Sequence, residues 1–198
     1  GFARIEFTDS EGNIEDLKTN IKLDCGTVVD ATFLSVADLR TFLSHEIKKA
    51  KEQNILFSVH LKATMMKVSD PIIFGHVVSV FFKDVFEKHG KLLNELGVNP
   101  NSGLGDILDR VSQNSEITEE FNAIIERQAD LYMVDSDRGI TNLHVPSDVI
   151  IDASMPALIR AGGTAWGPDG STKDTKCIIP DNSYAPVYEE AINFFKEK

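Results

Sequence analysis

The pattern of apolar and polar residues predicts a change from strands to a helix in the first quarter of the chain. ARIEF alternates apolar and polar residues and DSEGN follows with turn-forming residues, so residues 3–23 are predicted to form a β-hairpin. TVVDATFL is a further strand candidate. Ser35 then offers an N-cap with Asp38 three residues later, and VADLRTFLSHEIKKAKEQ has helical periodicity.

The next stretch, ILFSVHLKA, is typical of a strand. Its side chains alternate between an apolar face and a polar face, the first with Phe57, Val59 and Leu61, the second with Ser58, His60 and Lys62. Asp70-Pro71 is a strong helix start, because proline fits the first helical position. IIFGHVVSVFFKDVFEKH is therefore predicted to form a largely buried helix.

The second half continues the alternation of helices and strands. LGVNPNSGLGD is predicted to be a loop, residues 105–113 and 116–129 to be helical, LYMVD to be a strand and SDRGITN to be a turn. VIIDASMP is predicted to be an apolar strand that ends in a polar residue and leads into a helix. AWGPDGSTKDTKCII indicates a hairpin about Pro168-Asp169-Gly170, and a helix is expected from Ser183. Strands that alternate with helices favour an α/β class with a layered sheet.

Composition narrows the possible functions. The chain has 198 residues, of which 42% are hydrophobic and 26% are charged, as in ordinary globular domains. A formal net charge of -11 argues against a nucleic-acid partner, which needs clustered Lys and Arg. No apolar run approaches the length of a membrane span. The two cysteines, Cys25 and Cys177, have no metal or redox spacing and are expected to be free thiols in a reducing cytoplasm.

Two residues are candidates for chemistry because they follow predicted strands. Lys62 and Asp152 lie where strands end, and in open α/β sheets ligands bind at the carboxyl ends of strands. Lys62 could transfer protons, or it could be an ordinary solvated lysine. Asp152 could be a ligand for a hard metal ion such as Mg²⁺ or Mn²⁺, or it could cap the helix that follows. Both alternatives remain open at this point.

Other polar residues have weaker cases. Lys67 and Asp70 are expected to form a salt bridge and a helix cap, and Met65 and Met66 are expected to fill the core. Asp135, Asp137 and Asp148 are alternative candidates for a metal-binding acid. DSDRG resembles the start of a calcium loop, but its glycine comes one residue early and Pro146 stands where the loop requires Glu. The histidines at positions 60, 76 and 144 have no metal spacing and are expected to be hydrogen-bonded structural residues. Gly103-Leu-Gly105 lacks the third glycine of a dinucleotide fingerprint.

Six stretches of sequence between about Ile55 and Tyr188 form distinctive motifs. They are FSVHLKATMMKVSDPIIFGH, NPNSGLGD, MVDSDRGITNLHVPSDVIIDASMPALIR, WGPDG, DTK and IPDNSYAPVY. Together they resemble the monomeric type of NADP-dependent isocitrate dehydrogenase. The first fifty residues match more loosely, and residues 111–128 are a variable stretch.

The resemblance implies an isocitrate/isopropylmalate dehydrogenase-like fold and a reaction. The reaction is oxidative decarboxylation of isocitrate to 2-oxoglutarate, with NADP as hydride acceptor and Mg²⁺ or Mn²⁺ as Lewis acid. Family enzymes are longer two-domain chains that act as monomers. Residues 1–198 are therefore expected to be an internal fragment of the large domain, whose partner is the remainder of the enzyme chain.

The resemblance also implies roles for the two candidate residues. Lys62 matches the catalytic lysine of the family, and Asp152 matches one of its metal-binding aspartates. The other metal ligands, the substrate-binding arginines and the main NADP contacts are expected outside this stretch, and Arg138 and Arg160 have no assigned role. The isolated fragment is expected to be inactive. The alternatives are a non-catalytic module with an interaction or structural role, and a related decarboxylating dehydrogenase.

Overall fold

The computed structural model describes residues 1–31, 33–62, 69–179 and 185–197, with the backbone alone for 185–188. The chain divides into two compact units, residues 1–34 and residues 35–198. Its helices are α1 Val36–Gln53, α2 Asp70–Phe81, α3 Lys83–Glu95, α4 Leu104–Val111, α5 Ser115–Arg127, α6 Ile151–Arg160 and α7 Ala185–Glu197. Its strands are β1 Phe2–Thr8, β2 Ile14–Lys22, β3 Leu56–Val59, β4 Met133–Asp135, β5 Ile140–Thr141, β6 Thr164–Trp166 and β7 Thr172–Ile178. This is the mixed α/β class that the pattern predicts.

The first unit contains the predicted hairpin. Strands β1 and β2 are antiparallel and pair from Phe2 with Lys22 to Thr8 with Ile14. The Asp9 carboxylate accepts the backbone N–H groups of Glu11 and Asn13, which closes the turn. The strand predicted over TVVDATFL is wrong for the described residues of that stretch, none of which is in a strand. Val28 and Phe33 are 92% and 90% exposed, so their apolar side chains have no sheet to pack on.

The second unit begins with α1, whose start was predicted correctly. The Ser35 hydroxyl accepts the backbone N–H of Asp38, as an N-cap requires. At the other end, Asn54 adopts a left-handed conformation and donates its backbone N–H to Ala50 and Lys51 carbonyls. Leu43, Ile47 and Ala50 form the buried stripe of the helix.

The sheet of this unit has the order β3-β7-β6. Strands β3 and β7 are parallel, with Leu56 opposite Thr175 and Val59 opposite Ile178. Strand β6 is antiparallel to β7, and the turn between them is the predicted hairpin about residues 168–170. Every residue of β3 is buried, which is usual for a strand covered on both faces. Strand β3 therefore lies in the interior of the unit.

The predicted helix over residues 72–89 is two helices. Phe82, with φ of -103° and ψ of 27°, leaves the helical conformation between α2 and α3. Its ring is fully buried and lies 5.0 Å from the ring of Phe81 and 5.2 Å from that of Phe121. Periodicity could not show this break, because apolar residues continue through it. The Asp70-Pro71 start of α2 was predicted correctly.

The predicted strand at VIIDASMP is also wrong. Ile150 makes an isolated parallel bridge with Leu61, and α6 begins at the next residue. Other predictions for this half are confirmed: α4, α5, the strand β4 and a terminal helix, α7. Cys25 and Cys177 are free thiols. Within the described ranges, no helix is both long and apolar enough to cross a membrane.

Candidate active site

Lys62 and Asp152 are in direct contact. The Lys62 ammonium lies 2.9 Å from one carboxylate oxygen of Asp152 and 3.2 Å from the other. The two side chains are 21% and 29% exposed, so the pair is partly accessible to solvent. The sequence predicted that each residue lies at the carboxyl end of a strand, and the structure brings the two side chains together across 90 residues of chain.

A parallel bridge between Leu61 and Ile150 explains the contact. Leu61 donates its N–H to the Val149 carbonyl at 3.3 Å and accepts the Ile151 N–H at 2.9 Å. The two segments therefore leave the bridge in the same direction. Lys62 is the next residue after Leu61, and Asp152 lies two residues after Ile150, in the first turn of α6.

Buried polar side chains hold the backbone on either side of Leu61. Asp70, which is 1% exposed, accepts the backbone N–H of Lys62 at 2.8 Å. Asn142, also 1% exposed, donates its side-chain N–H to the Val59 carbonyl at 3.2 Å. The Lys62 backbone is thus fixed by the start of α2, while its side chain projects to Asp152. Local periodicity could not predict either contact, because Asp70 lies in another element, α2, and Asn142 is distant in sequence from Val59.

Asp152 is neither the end of a strand nor the N-cap of α6. The N-cap is Ile150, which makes no side-chain cap hydrogen bond. Asp152 lies in the first helical turn, where a negative charge is favourable near the helix N-terminus. The predicted helix-cap alternative is therefore wrong. Both oxygens of its carboxylate contact Lys62, and the side chain is 29% exposed.

His60 connects the two elements that carry the candidate pair. Its ring is fully buried, with Nε2 2.8 Å from the Ser58 hydroxyl and Nδ1 2.6 Å from the Ser154 hydroxyl. Burial lowers the pKa of His60 from 6.5 to about 4, because a charged imidazole would lose its hydration. The prediction that His60 is a hydrogen-bonded structural residue is confirmed. Its link to Ser154 was not predicted, since no spacing connects two residues so far apart.

The other histidines singled out from sequence are also held by hydrogen bonds. The Arg40 guanidinium lies 3.4 Å from Nδ1 of His76, and burial, with the Arg40 charge, lowers the pKa of His76. Nδ1 of His144 accepts the backbone N–H of Thr141 at 2.9 Å, and burial lowers the pKa of His144. Both agree with the structural role that was predicted.

Asp135, Arg138 and Arg160 make contacts that do not involve the Lys62–Asp152 pair. The Asp135 carboxylate accepts the backbone N–H of Arg138, which belongs to a turn. Arg160 pairs with Glu190 at 2.9 Å. Asp148 has one buried carboxylate oxygen with no hydrogen-bond partner among the described residues, and burial raises its pKa. The residues Met65, Met66 and Lys67, for which core and salt-bridge roles were predicted, lie outside the described residues.

A metal ion at Asp152 would need further ligands. In the part of the chain that the structure describes, Asp152 does not belong to any group of three His, Cys, Asp or Glu side chains close enough to share an ion. Mg²⁺ is usually held by one or two protein carboxylates together with oxygens of its substrate and waters. One exposed carboxylate therefore fits part of such a site.

One three-residue group does occur among the described residues. It consists of His89, Glu116 and Glu120, whose ligand atoms all lie within 4.8 Å of one another. Lys88 pairs with Glu120 and lies 3.6 Å from Glu116, so an ammonium already neutralises these carboxylates. The Lys88 hydrogen bond is the main reason that the pKa of Glu120 is lowered. This group is explained as a salt-bridge cluster on the exposed faces of α3 and α5.

Comparisons with known proteins agree on one family. The sequence model described as monomeric isocitrate dehydrogenase matches residues 2–198. The chain is 50% identical over 198 residues to isocitrate dehydrogenase [NADP] 2 of Colwellia maris, an alignment that covers 98% of this chain and 27% of the relative. It is 47% identical over 202 residues to isocitrate dehydrogenase [NADP] of Azotobacter vinelandii, with 100% and 27% covered. The chain thus spans about a quarter of the length of the relatives it matches.

Proposed function

This chain belongs to the monomeric isocitrate dehydrogenase family, and from that membership we propose that it is part of an NADP-dependent isocitrate dehydrogenase. The complete enzyme would convert isocitrate and NADP⁺ to 2-oxoglutarate, carbon dioxide and NADPH. Residues 1–198 would be an internal part of the large domain of a longer two-domain, monomeric enzyme with a layered, isocitrate/isopropylmalate dehydrogenase-like fold. The names of the relatives, which include NADP, support the choice of hydride acceptor.

The contact between Lys62 and Asp152 carries the proposal. A proton-carrying amine and a hard oxygen ligand lie 2.9 Å apart at the end of a buried strand. Oxidative decarboxylation of a hydroxy acid needs both kinds of group at one place, since a proton must move and negative charge must be stabilised. The Leu61–Ile150 bridge and Asp70 hold this geometry through backbone hydrogen bonds.

Asp152 would contribute one carboxylate to a bound Mg²⁺ or Mn²⁺. The ion would act as a Lewis acid toward the substrate hydroxyl oxygen. The remaining ligands would come from isocitrate and from parts of the enzyme beyond this chain. Its place in the first turn of α6 fixes the Asp152 backbone, while its carboxylate is 29% exposed and contacts Lys62.

Lys62 would serve in proton transfer. Its Nζ can exchange a proton with the substrate hydroxyl as the hydride leaves for NADP⁺, or with the carbon that loses the carboxylate. The Asp152 carboxylate orients the amine in the absence of substrate, at 2.9 and 3.2 Å. The Lys62 backbone is held by Asp70 through its N–H, and proton transfer would require the side chain to turn from Asp152 toward a substrate.

The test is the activity of the full-length protein that contains this chain. Purified protein should reduce NADP⁺ when given isocitrate with Mn²⁺ or Mg²⁺, measured by NADPH absorbance. Chelation of the metal should stop the reaction, and related 2-hydroxy acids should be poor substrates. Full-length protein that reduces no NADP⁺ with isocitrate would support a non-catalytic module instead. Preference for another hydroxy acid would indicate a related decarboxylating dehydrogenase.

A further inference from the structure

His60 touches both halves of the candidate site without being part of it. It lies two residues before Lys62, directly after β3, and its Nδ1 lies 2.6 Å from the hydroxyl of Ser154, two residues after Asp152. One buried ring therefore links the segment that carries the amine to the first turn of the helix that carries the carboxylate.

One arrangement of the hydrogen bonds gives every group a partner. In it the Ser58 hydroxyl donates to the Lys176 carbonyl at 3.5 Å and accepts the N–H of His60 Nε2 at 2.8 Å. His60 Nδ1 is then the unprotonated nitrogen and accepts the hydroxyl proton of Ser154. The chain of bonds runs from α6 through the ring and β3 to β7, and each member has a partner.

The surroundings make this arrangement rigid. His60 is fully buried, and the Tyr132 ring stacks on it with centroids 6.3 Å apart and an interplanar angle of 16°. The N-cap residue of α6, Ile150, makes no side-chain cap hydrogen bond, and the contact of His60 with Ser154 restrains the first turn of this helix. A buried polar chain that is fully satisfied specifies one geometry more strictly than apolar packing does.

We propose that His60 is a positioning residue that, through Ser154, sets the orientation of the α6 first turn and hence of the Asp152 carboxylate toward Lys62 and the metal. The proposal rests on the proposed function, because it assumes that Asp152 binds the metal. Replacing a residue that holds a metal-ligating side chain in place typically changes the metal affinity by about 10- to 100-fold.

Two substitutions separate the two ring nitrogens. His60→Asn places a polar amide atom near the position of Nδ1 and can keep the bond to Ser154. His60→Gln places its terminal amide nearer to Nε2 and keeps the bond to Ser58 instead. Ser154→Ala and Ser58→Ala remove the matching hydroxyl partners. All four variants are made in the full-length protein.

The measurement is direct Mn²⁺ binding, by the electron paramagnetic resonance signal of free Mn²⁺, with isocitrate present and NADP⁺ omitted. We expect His60→Gln and Ser154→Ala to raise the Kd for Mn²⁺ about tenfold. We expect His60→Asn and Ser58→Ala to change it by less than about threefold, even though all four variants lower the melting temperature. Thermal unfolding of each variant is recorded alongside.

Three results would overturn this inference. The Kd could stay at the wild-type value in all four variants, or it could rise in proportion to the loss of melting temperature regardless of which nitrogen keeps its partner. In both cases His60 is a stability residue only, and the proposed function stands. If wild-type protein binds no Mn²⁺ with isocitrate, the proposed function fails and this inference fails with it.

Discussion

Acidification should destabilise β3 through His60. The folded protein holds the pKa of His60 at about 4, whereas an unfolded chain binds the proton near the ordinary value of 6.5. The stability gained from the neutral ring is therefore complete above pH 6.5 and is lost as the pH falls toward 4. At about 1.4 kcal/mol for each unit between the two pKa values, the loss approaches roughly 3 kcal/mol.

Amide hydrogen exchange in the full-length protein can measure this loss locally. The backbone N–H groups of Phe57 and His60 donate to Asp130 and Ile178, so their exchange reports the opening of this part of the sheet. After correction for the intrinsic effect of pH, the opening free energy should fall by most of that 3 kcal/mol between about pH 7 and pH 4.5.

The control is His60→Asn, which cannot titrate in this range. Other groups with shifted pKa values, such as His144 and Asp148, remain in both proteins, so their contribution cancels in the comparison. In the same network, burial raises the pKa values of Tyr132 and Cys177, which therefore stay neutral throughout. Equal loss of protection in wild type and variant would show that the buried ring is not the origin of the acid sensitivity.

The remaining predictions concern the Lys62–Asp152 pair. The Lys173–Asp130 pair is a matched control, because it is also half-buried and its ammonium lies 2.6 Å from the carboxylate. In the full-length enzyme, Lys62→Met should lower kcat by about 10²- to 10⁴-fold with little change in melting temperature; if Lys173→Met lowers kcat as much, the role is not specific. Asp152→Asn keeps the shape of the side chain but removes its charge, so it should raise the Mn²⁺ concentration needed for half-maximal activity. A Mn²⁺ titration equal to that of wild type or of Asp130→Asn would contradict metal binding by Asp152. The isolated 198-residue chain should not reduce NADP⁺ with isocitrate and Mn²⁺, since Asp152 belongs to no group of three possible metal ligands among its described residues. Turnover above that of a mock purification would show that the site is complete here.

Local signals predicted the elements whose cause is local. The Ser35 cap, the Asp70-Pro71 helix start and the turn at residues 168–170 each follow from the chemistry of neighbouring residues, and all are confirmed. TVVDATFL has strand-forming residues too, but a strand needs a partner, and its described residues have none. Apolar residues at 149–151 likewise suggested a strand, whereas long-range pairing keeps one bridge there and lets α6 begin.

The candidate site was predicted in part for the same reason. Lys62 is recognisable because it follows a strongly apolar strand. Asp152 was predicted to follow a strand, but it lies in the first turn of α6. Both a strand end and a helix start can bring a carboxylate to the edge of a sheet. The contributions of Ser154 and Asn142 could not be predicted, because they depend on contacts between residues about 80 to 95 positions apart.

The position of β3 has a consequence for synthesis of the protein. Its backbone partners, at residues 130–132 and 175–178, all come later in the chain. Ser58 and Lys176, on neighbouring strands, are 118 residues apart. At a translation rate of about 5 to 20 residues per second, an apolar strand emerges from the ribosome roughly 6 to 24 s before β7 can pair with it. Over that interval the apolar residues of β3, three positions before Lys62, have no partner strand to cover them and are prone to aggregate.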